Sequence, residues 1–238
     1  GDVYKRQADA TLGRDDRQTM LEMRERSRPV LEAVGRHGGL HLIVVGTLRV
    51  HTQWEEGEPY YGPDSTIAPR DVAAEAQLWM EEMALEQATP ERPVSILRAS
   101  NVQGVPLNGP PGNGLLHKWA EESPIGWVNI PGDGSEMKDF VHVHDLAQCV
   151  LGVLSSPPPT RESLAVGSGK GIQLRDLAEI YVQMTGCETE YGQNSEGQVF
   201  GIVDASEIER RLGFRPAISL EEMIREAVSY THLRAHET

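Results

Sequence analysis

Acid–base groups cluster around two neighbouring segments of the chain. His51 lies shortly after the apolar run of residues 40–46, and an imidazole titrates near neutral pH. Asp71 and Glu75 open the next helical segment, and burial can raise the pKa of a carboxyl group toward the range of a general base. Thr47 follows the apolar run directly, and its hydroxyl either orients a reacting oxygen or bonds a strand-end carbonyl. Two possibilities stay open. Either His51, Asp71 or Glu75 is a catalytic base, or the site binds its ligand without turnover.

Apolar runs alternate with helical patterns in the first part of the chain. Residues 40–46 and 94–100 are short, continuous and rich in β-branched side chains, which is typical of strands buried on both faces of a parallel sheet. Residues 18–37, interrupted by Pro29, and residues 69–86 show helical periodicity. This alternation predicts β-α-β units with parallel strands and right-handed crossovers.

After residue 101 the pattern changes to a Pro- and Gly-rich loop and shorter elements. Asp145 stands at the start of an apolar helical segment and is expected to be its N-cap. The other expected elements are helices over 115–121 and 173–185, two helices within 204–227, and strands over 127–130, 140–143 and 163–166. A parallel sheet is therefore expected first and a smaller α+β region second.

A family resemblance is carried by two segments, ILRASNVQG at residues 96–104 and GDGSEMKDFVHVHDLA at residues 132–147. Together they resemble the extended short-chain dehydrogenase/reductases, the NAD-dependent nucleotide-sugar epimerases and dehydratases. Residues 165–186 and 204–227 look like the later elements of this family. The resemblance implies an α/β fold with a partial Rossmann-type parallel sheet, helices on both faces, and a smaller C-terminal α+β substrate-binding region. It also implies NAD or NADP as cofactor and a nucleotide sugar as substrate. A homodimer is possible, because relatives often form one.

The same resemblance assigns roles to individual residues. Thr47 takes the position of the family's catalytic Ser or Thr. Asn101 matches the asparagine that binds the substrate near its phosphates, and Lys138 stands where an arginine usually clamps the diphosphate. A lysine keeps the charge but lacks the bidentate fork, so we expect a weaker clamp. The residues expected beside the cofactor are Gly46, Ala99 and Ser100.

The family's Tyr-x-x-x-Lys pair is absent from this chain. In the usual pattern, P-x-x-Y-G-x-S-K-x-x-x-E, the tyrosine removes a proton from the sugar hydroxyl while hydride moves to the cofactor. Alignment with residues 69–82 places Val72 and Ala76 at the tyrosine and lysine positions, and a shift by one places Asp71 and Glu75 there. Two tyrosines, Tyr60 and Tyr61, lie upstream with no lysine four residues later, which favours loop packing.

The sequence thus predicts an NAD(P)-dependent epimerase/dehydratase-like protein that acts on a nucleotide sugar through transient hydride transfer. Thr47 and His51 are its candidate catalytic residues. A non-catalytic sensor or partner protein of the same fold is one alternative, which the missing pair favours. A reductase of small carbonyl compounds is another, and it would not require the diphosphate clamp of residues 132–140.

The composition narrows the class of partner. Asp and Glu number 36 against 22 Lys and Arg, and the net charge of −14 argues against nucleic-acid binding. No apolar run approaches the ~20 residues of a membrane span. Cys149 and Cys187 lack metal-type spacing, which favours a reducing, cytoplasmic location. His142 and His144 lie two residues apart on an expected strand, but Asp145 fits a helix cap better than a ligand, so we expect no metal site.

Both ends of the chain resemble translated sequencing adapters. We therefore set aside residues 1–7 and 228–238. Residues 8–104 are expected to form the C-terminal half of an NAD(P)-binding Rossmann domain, and residues 105–227 mainly the substrate-binding region with some returning Rossmann elements. No G-x-x-G-x-x-G turn follows an apolar strand, so we expect a fragment truncated within its cofactor domain.

Cofactor affinity tests this expectation. Because the glycine-rich turn and its helix N-terminus normally hold the cofactor pyrophosphate, we expect this chain alone to bind NAD and NADP too weakly to measure. Calorimetric titration with each dinucleotide provides the measurement. A saturable NAD isotherm would contradict the expected truncation.

Overall fold

The computed structural model describes residues 14–51, 60–62, 65–69, 71–105, 114–192 and 201–235. The strands in these ranges are β1 (Leu42–Thr47), β2 (Tyr60–Tyr61), β3 (Val94–Ala99), β4 (Asn101–Gln103), β5 (Trp127–Ile130), β6 (Met137–His142), β7 (Arg161–Val166), β8 (Gly171–Gln173), β9 (Glu188–Tyr191) and β10 (Ile202–Val203). The α-helices are α1 (Arg14–Gly35), α2 (Val72–Glu86), α3 (Leu115–Glu122), α4 (Val143–Ser155), α5 (Leu174–Thr185), α6 (Ser206–Leu212) and α7 (Leu220–Ala235). Short 3-10 turns span Leu48–His51 and Ser123–Ile125.

Three parallel strands, in the order β1-β3-β7, form the sheet that carries Gly46, Thr47 and Ala99, whereas Asn101 and Lys138 lie on β4 and β6 of a second sheet. Thr47 pairs with Ala99, and Ala99 pairs with Val166, so the three strands end at one edge. Every residue of β3 is buried, as expected for a central parallel strand. The expectation of burial on both faces is wrong for β1, where Val45 is 48% exposed, because β1 pairs on one side only within the described residues.

Helices cover both faces of this sheet, which confirms the Rossmann-type expectation. Successive side chains of a strand point to opposite faces. On one face, Val94 and Ile96 of β3 pack with residues of α1 and α2. On the other face, Leu97 and Ala99 pack with Cys149 of α4 and with residues of α6. Each large apolar side chain buried in these layers contributes about 1.5–3 kcal/mol.

A second apolar core lies in the C-terminal region. Trp119 of α3 packs edge-to-face against Tyr181 of α5, with ring centroids 5.4 Å apart, and Ile224 of α7 joins them. Helix α7 continues to Ala235 and Val228 packs against this core, so residues 228–235, set aside as an adapter-like tail, form the end of a helix. Within the described ranges, every helix is too short or too polar to cross a bilayer.

Asp145 has a role that differs from the predicted one. The N-cap of α4 is His142, whose Nδ1 accepts the His144 N–H at 3.1 Å. The carboxylate of Asp145 is buried instead, and its two oxygens each accept a backbone N–H at 3.1 Å, from Ala217 and from Ile218. Asp145 therefore fastens the segment between α6 and α7 onto the first turn of α4.

Asp145→Asn tests the fastening role. The amide keeps the size of the side chain but has one acceptor oxygen for two N–H donors, so we expect the free energy of unfolding to fall by about 1–3 kcal/mol. Urea denaturation measures this loss. Asp176→Asn is the matched control, since Asp176 lies in the first turn of α5 with its side chain 58% exposed and should change stability by less than ~0.5 kcal/mol. Equal losses would instead indicate a general effect of negative charge at helix N-termini.

Candidate functional site

Most of the predicted site residues line one cavity at the carboxyl edge of the sheet. The cavity has a volume of about 280 Å³, and Thr47, at the end of β1, and Ala99, at the end of β3, meet at it. Its other lining residues are Leu48, Arg49, Ser100, Asn101, Lys138 and Gly201. Ligands of open α/β sheets bind at this edge because the strand ends and the following loops converge there. Gly46 and His51 are the two predicted site residues that do not line this cavity.

A second cavity of about 450 Å³ adjoins the first, because Asn101 and Lys138 line both. The remaining lining residues are Val102, Gln103, Gly114, Leu115, Lys118 and Pro131. Lys118 adds a second cation to the lining, and its Nζ lies 3.7 Å from Glu122 Oε1 with the lysine side chain 63% exposed. The two cavities thus share Asn101 and Lys138 as lining residues, and the larger one also has the Lys118 ammonium on its wall.

Asn101 is held by the backbone of a neighbouring strand. Strands β4 and β6 pair in parallel, and the Asn101 side-chain amide donates to the carbonyl oxygen of Asp139 at 2.8 Å. The Asp139 carboxylate is fully buried and accepts from the backbone N–H groups of Ser168, Gly169 and Val203 at 2.8–3.1 Å and from the Ser168 hydroxyl at 2.6 Å. Burial raises the pKa of Asp139, while these donors oppose the rise. Gly169 adopts a φ of +71°, which favours glycine and aims its N–H at Asp139.

Lys138 directly precedes Asp139 in β6 and is already paired. Its Nζ lies 2.9 Å from Glu136 Oε1, and the two side chains are only 15% and 8% exposed. The Ser100 hydroxyl oxygen, on the wall of the smaller cavity, is buried and has no hydrogen-bond partner among the described residues. A buried hydroxyl of this kind is stabilised by a polar ligand group.

His51 lies in a buried hydrogen-bond network. Arg98 Nη1 donates to His51 Nε2 at 2.9 Å, and His51 Nδ1 bonds the Thr66 carbonyl at 3.1 Å. Its ring stacks on Tyr61, with centroids 5.6 Å apart. Burial, with the adjacent Arg98 charge, lowers the pKa of His51 to about 4. Both ring nitrogens are therefore engaged, and the role of His51 as a base stays a prediction that this geometry does not support.

Arg98 also forms a buried ion pair with Glu81 of α2. Arg98 Nε and Nη2 lie 3.0 and 2.9 Å from Glu81 Oε2, and the two side chains are 8% and 1% exposed. A Cβ atom on Gly46 would collide with Glu81 Oε1. A Cβ atom at position 46 would therefore require the Glu81 carboxylate to shift, and the contact of Gly46 with a cofactor stays a prediction.

Glu81 allows another register for the Tyr-x-x-x-Lys pattern. The family pattern ends with a glutamate eight residues after its tyrosine. One register places Glu82 there, and another places Glu81 there, which pairs with Arg98. That register puts Ala73 at the tyrosine position and Gln77 at the lysine position, one residue beyond Val72 and Ala76. Gln77 Nε2 lies 3.0 Å from a Cβ built on Gly46, next to the end of β1. This register also supplies neither a phenol nor an ammonium.

The other candidate bases are engaged elsewhere. Asp71 caps α2, because its Oδ1 accepts the Ala74 N–H at 2.9 Å and its Oδ2 lies 2.5 Å from Arg49 Nη2. Neither Asp71 nor Glu75 lines the two cavities. Of the upstream tyrosines, placed by the sequence in a loop, Tyr61 is buried, and the two form the short strand β2 that pairs with β10.

His142 and His144 do not share a strand face. His142 ends β6 and its Nε2 lies 2.7 Å from Glu226 Oε2, whereas His144 belongs to α4. Among the residues that the structure describes, no three His, Cys, Asp or Glu side chains are grouped as metal ligands would be.

Acid sensitivity should report the buried state of His51. A histidine whose folded pKa is about 4 takes up a proton more readily when unfolded, so stability is lost as the pH falls from about 6.5 to about 4. The contribution is on the order of 3 kcal/mol. His51→Gln keeps a donor and an acceptor but does not titrate, so we expect a smaller loss of urea resistance over this interval. His37→Gln, at an exposed position, is the control and should retain the wild-type loss. An unchanged pH profile in His51→Gln would contradict the buried neutral state.

Comparisons with known proteins agree with this geometry. The family model described as "NAD dependent epimerase/dehydratase family" matches residues 14–167. A putative UDP-glucose 4-epimerase from Methanocaldococcus jannaschii is 31% identical over 143 residues, 57% of this chain and 45% of that protein. The dTDP-glucose 4,6-dehydratase of Streptomyces griseus is 24% identical over 87% of this chain and 63% of that protein. The chain thus spans about half to two thirds of the length of these two relatives.

The fold is also that of solved structures. The structure of MoeE5 in complex with UDP-glucuronic acid and NAD superposes with a TM-score of 0.77 at 22% identity, covering 87% of this chain and 70% of that one. At this identity the likeness concerns the fold, and the family assignment rests on the matching family model. The chain is a member of the NAD-dependent epimerase/dehydratase family.

Proposed function

We propose that this protein binds a nucleotide sugar across its two adjoining cavities and acts on it by NAD(P)-dependent hydride transfer. The observation that carries the proposal is the position of Asn101 and Lys138, which line both cavities. A ligand spanning them places its middle beside an amide and an ammonium. The diphosphate of a nucleotide sugar has the charge and the acceptor oxygens for these two groups.

Each cavity suits a different part of this ligand. The smaller one offers the Thr47 hydroxyl and the unpartnered Ser100 hydroxyl, both of which can bond sugar oxygens. The larger one has Leu115, Pro131 and the Lys118 ammonium on its wall, which suit a nucleoside and its phosphates. Although the chain carries a net charge of −14, cations this close to the ligand outweigh a diffuse, screened field.

NAD or NADP is the cofactor that we propose for the complete protein. Ala99 and Ser100 lie where β3 ends, beside the smaller cavity, and the orphaned Ser100 hydroxyl fits a polar ligand group there. When bound, the nicotinamide supplies hydride acceptance and return. The MoeE5 structure contains UDP-glucuronic acid and NAD together, and the two curated relatives are named for UDP-glucose and dTDP-glucose reactions. Within this chain, Thr47 orients the sugar hydroxyl, whereas His51, the base predicted from the sequence, lines neither cavity and has both ring nitrogens engaged.

A non-catalytic binder is the second candidate, and one observation favours it. Among the described lining residues of both cavities there is no carboxylate, imidazole or phenol. Proton removal from a sugar hydroxyl needs such a group within hydrogen-bond reach. A protein that binds the nucleotide sugar without turnover needs only Asn101, Lys138 and the hydroxyls.

Location and assembly follow from other residues. We propose a cytoplasmic location because Cys149 and Cys187 are buried free thiols, as a reducing compartment maintains.

We propose a homodimer through α1 and α2, since Leu21 and Val30 of α1 are 48% and 61% exposed. Sedimentation velocity with Val30→Glu tests the dimer.

Nucleotide-sugar binding is the decisive test of the proposed function. We expect UDP-, dTDP- or GDP-sugars to bind this chain in calorimetric titrations. Lys138→Met should weaken the affinity about tenfold or more, because a charge-assisted contact contributes about 1.5–3 kcal/mol. Lys170→Met is the matched control, since Lys170 is exposed and lies outside both cavities. Absence of binding by every sugar nucleotide would contradict both candidate functions.

Turnover separates the two candidates. Nicotinamide absorbance is followed while each sugar nucleotide is added to the protein together with NAD or NADP. A redox change with one of them supports hydride chemistry without the Tyr-Lys pair. Binding without any change supports the non-catalytic role.

A further inference from the structure

The cation proposed to clamp the diphosphate is already neutralised by a neighbouring carboxylate. Glu136 Oε1 lies 2.9 Å from Lys138 Nζ, and neither side chain is more than 15% exposed. In such a setting the attraction is screened far less than at the surface. An anion that approaches Lys138 therefore meets an ion pair of net charge zero rather than a free ammonium.

Glu136 cannot withdraw from this position by a shift of its backbone. It directly precedes β6, and its carbonyl oxygen accepts the Leu174 N–H at 2.9 Å, where α5 begins. The antiparallel pairing of Met137 with Gln173 fixes the same segment. Relief of the repulsion between Glu136 and a bound phosphate then comes from rotation of the Glu136 or the Lys138 side chain.

The other carboxylates near this site, those of Asp139 and Glu122, contact other groups than Lys138. Asp139 directs its oxygens to backbone donors of residues 168, 169 and 203, on the far side of the segment. Glu122 lies 3.7 Å from Lys118 on α3, in a pair whose lysine is 63% exposed. Among the described groups, Glu136 is thus the carboxylate that acts directly on Lys138.

We propose that Glu136 is an intramolecular competitor of the substrate diphosphate for Lys138, and that it sets a low affinity for anionic ligands at this site. This inference rests on the proposed function. A bound diphosphate displaces the Glu136 carboxylate from Lys138, so part of its binding free energy is spent on breaking this pair. The site then favours a ligand whose sugar and nucleoside supply further contacts over a bare phosphate.

Substitution of Glu136 tests the competition. Glu136→Gln is nearly isosteric and removes the charge, so we expect the affinity for UDP and for inorganic pyrophosphate to rise about tenfold. The affinity for uridine, which carries no phosphate, should not change. Glu122→Gln is the matched control: it removes the same charge beside the other lysine of the cavity and should change the UDP affinity less than about twofold, because an exposed pair is screened.

A second variant keeps Glu136 in place. Lys138→Arg provides a planar fork that can bond a carboxylate and a phosphate at once, and it should also tighten pyrophosphate binding. If Glu136→Gln binds UDP no better than the wild type and has the wild-type thermal midpoint, the competition is overturned. Glu136 would then serve to position Lys138. If neither the wild-type chain nor either variant binds UDP, the proposed function itself is overturned. If only the variants bind UDP, the result supports the proposed function and the competition.

Discussion

The buried contact between Arg98 and Glu81 fixes the geometry on which the site depends. It joins the middle of the sheet, through β3, to α2, and the second arm of the same guanidinium reaches His51 in the turn after β1. Desolvation raises the pKa of Glu81, and the charge of Arg98 opposes that rise. Because a buried ion left without its partner is strongly destabilising, the three elements are constrained to move together. The ends of β1 and β3 are thereby held at one edge of the sheet.

Two buried aspartates hold the elements of the C-terminal region together in a similar way. Asp139 gathers backbone donors from the loop after β7 and from β10, and its own carbonyl holds Asn101. Asp145 does the same for the segment between α6 and α7. In both cases one carboxylate satisfies several backbone N–H groups that would otherwise be buried without partners. The ligand-facing groups Asn101 and Lys138 therefore sit on a rigid support.

The site is better equipped to bind an anion than to move a proton. Hydroxyl, amide and ammonium groups face the cavities, whereas the imidazole of His51 and the carboxylates of Asp71 and Glu81 are engaged in structural contacts. Glycine at position 46 fits the same picture, since the space above it is filled by Glu81. Family membership describes the fold, and the chemistry depends on the individual residues of the site.

The sequence by itself determined the alternation of parallel strands and helices. Period and apolar content reflect which faces are buried, so the strands that end near Thr47 and Ala99 could be recognised from the chain alone. The chemical roles of these residues came from the family resemblance, not from the pattern. Strand β1 was expected to be buried on both faces, yet Val45 is exposed, because a periodic pattern does not report which strand lies at an edge.

Only the tertiary structure decided how the polar residues are used. Asp145 has the sequence position of a helix cap, but its partners Ala217 and Ile218 are distant in sequence, and no local pattern encodes that contact. In the same way, Glu81 of α2 pairs with Arg98 of β3, a contact that the helical period of residues 69–86 does not indicate. Hydrogen bonds and ion pairs between distant segments depend on the exact packing of the chain, whereas burial patterns depend mainly on local periodicity. The sequence therefore indicates where the site lies, and the fold determines which of its charges are free to act.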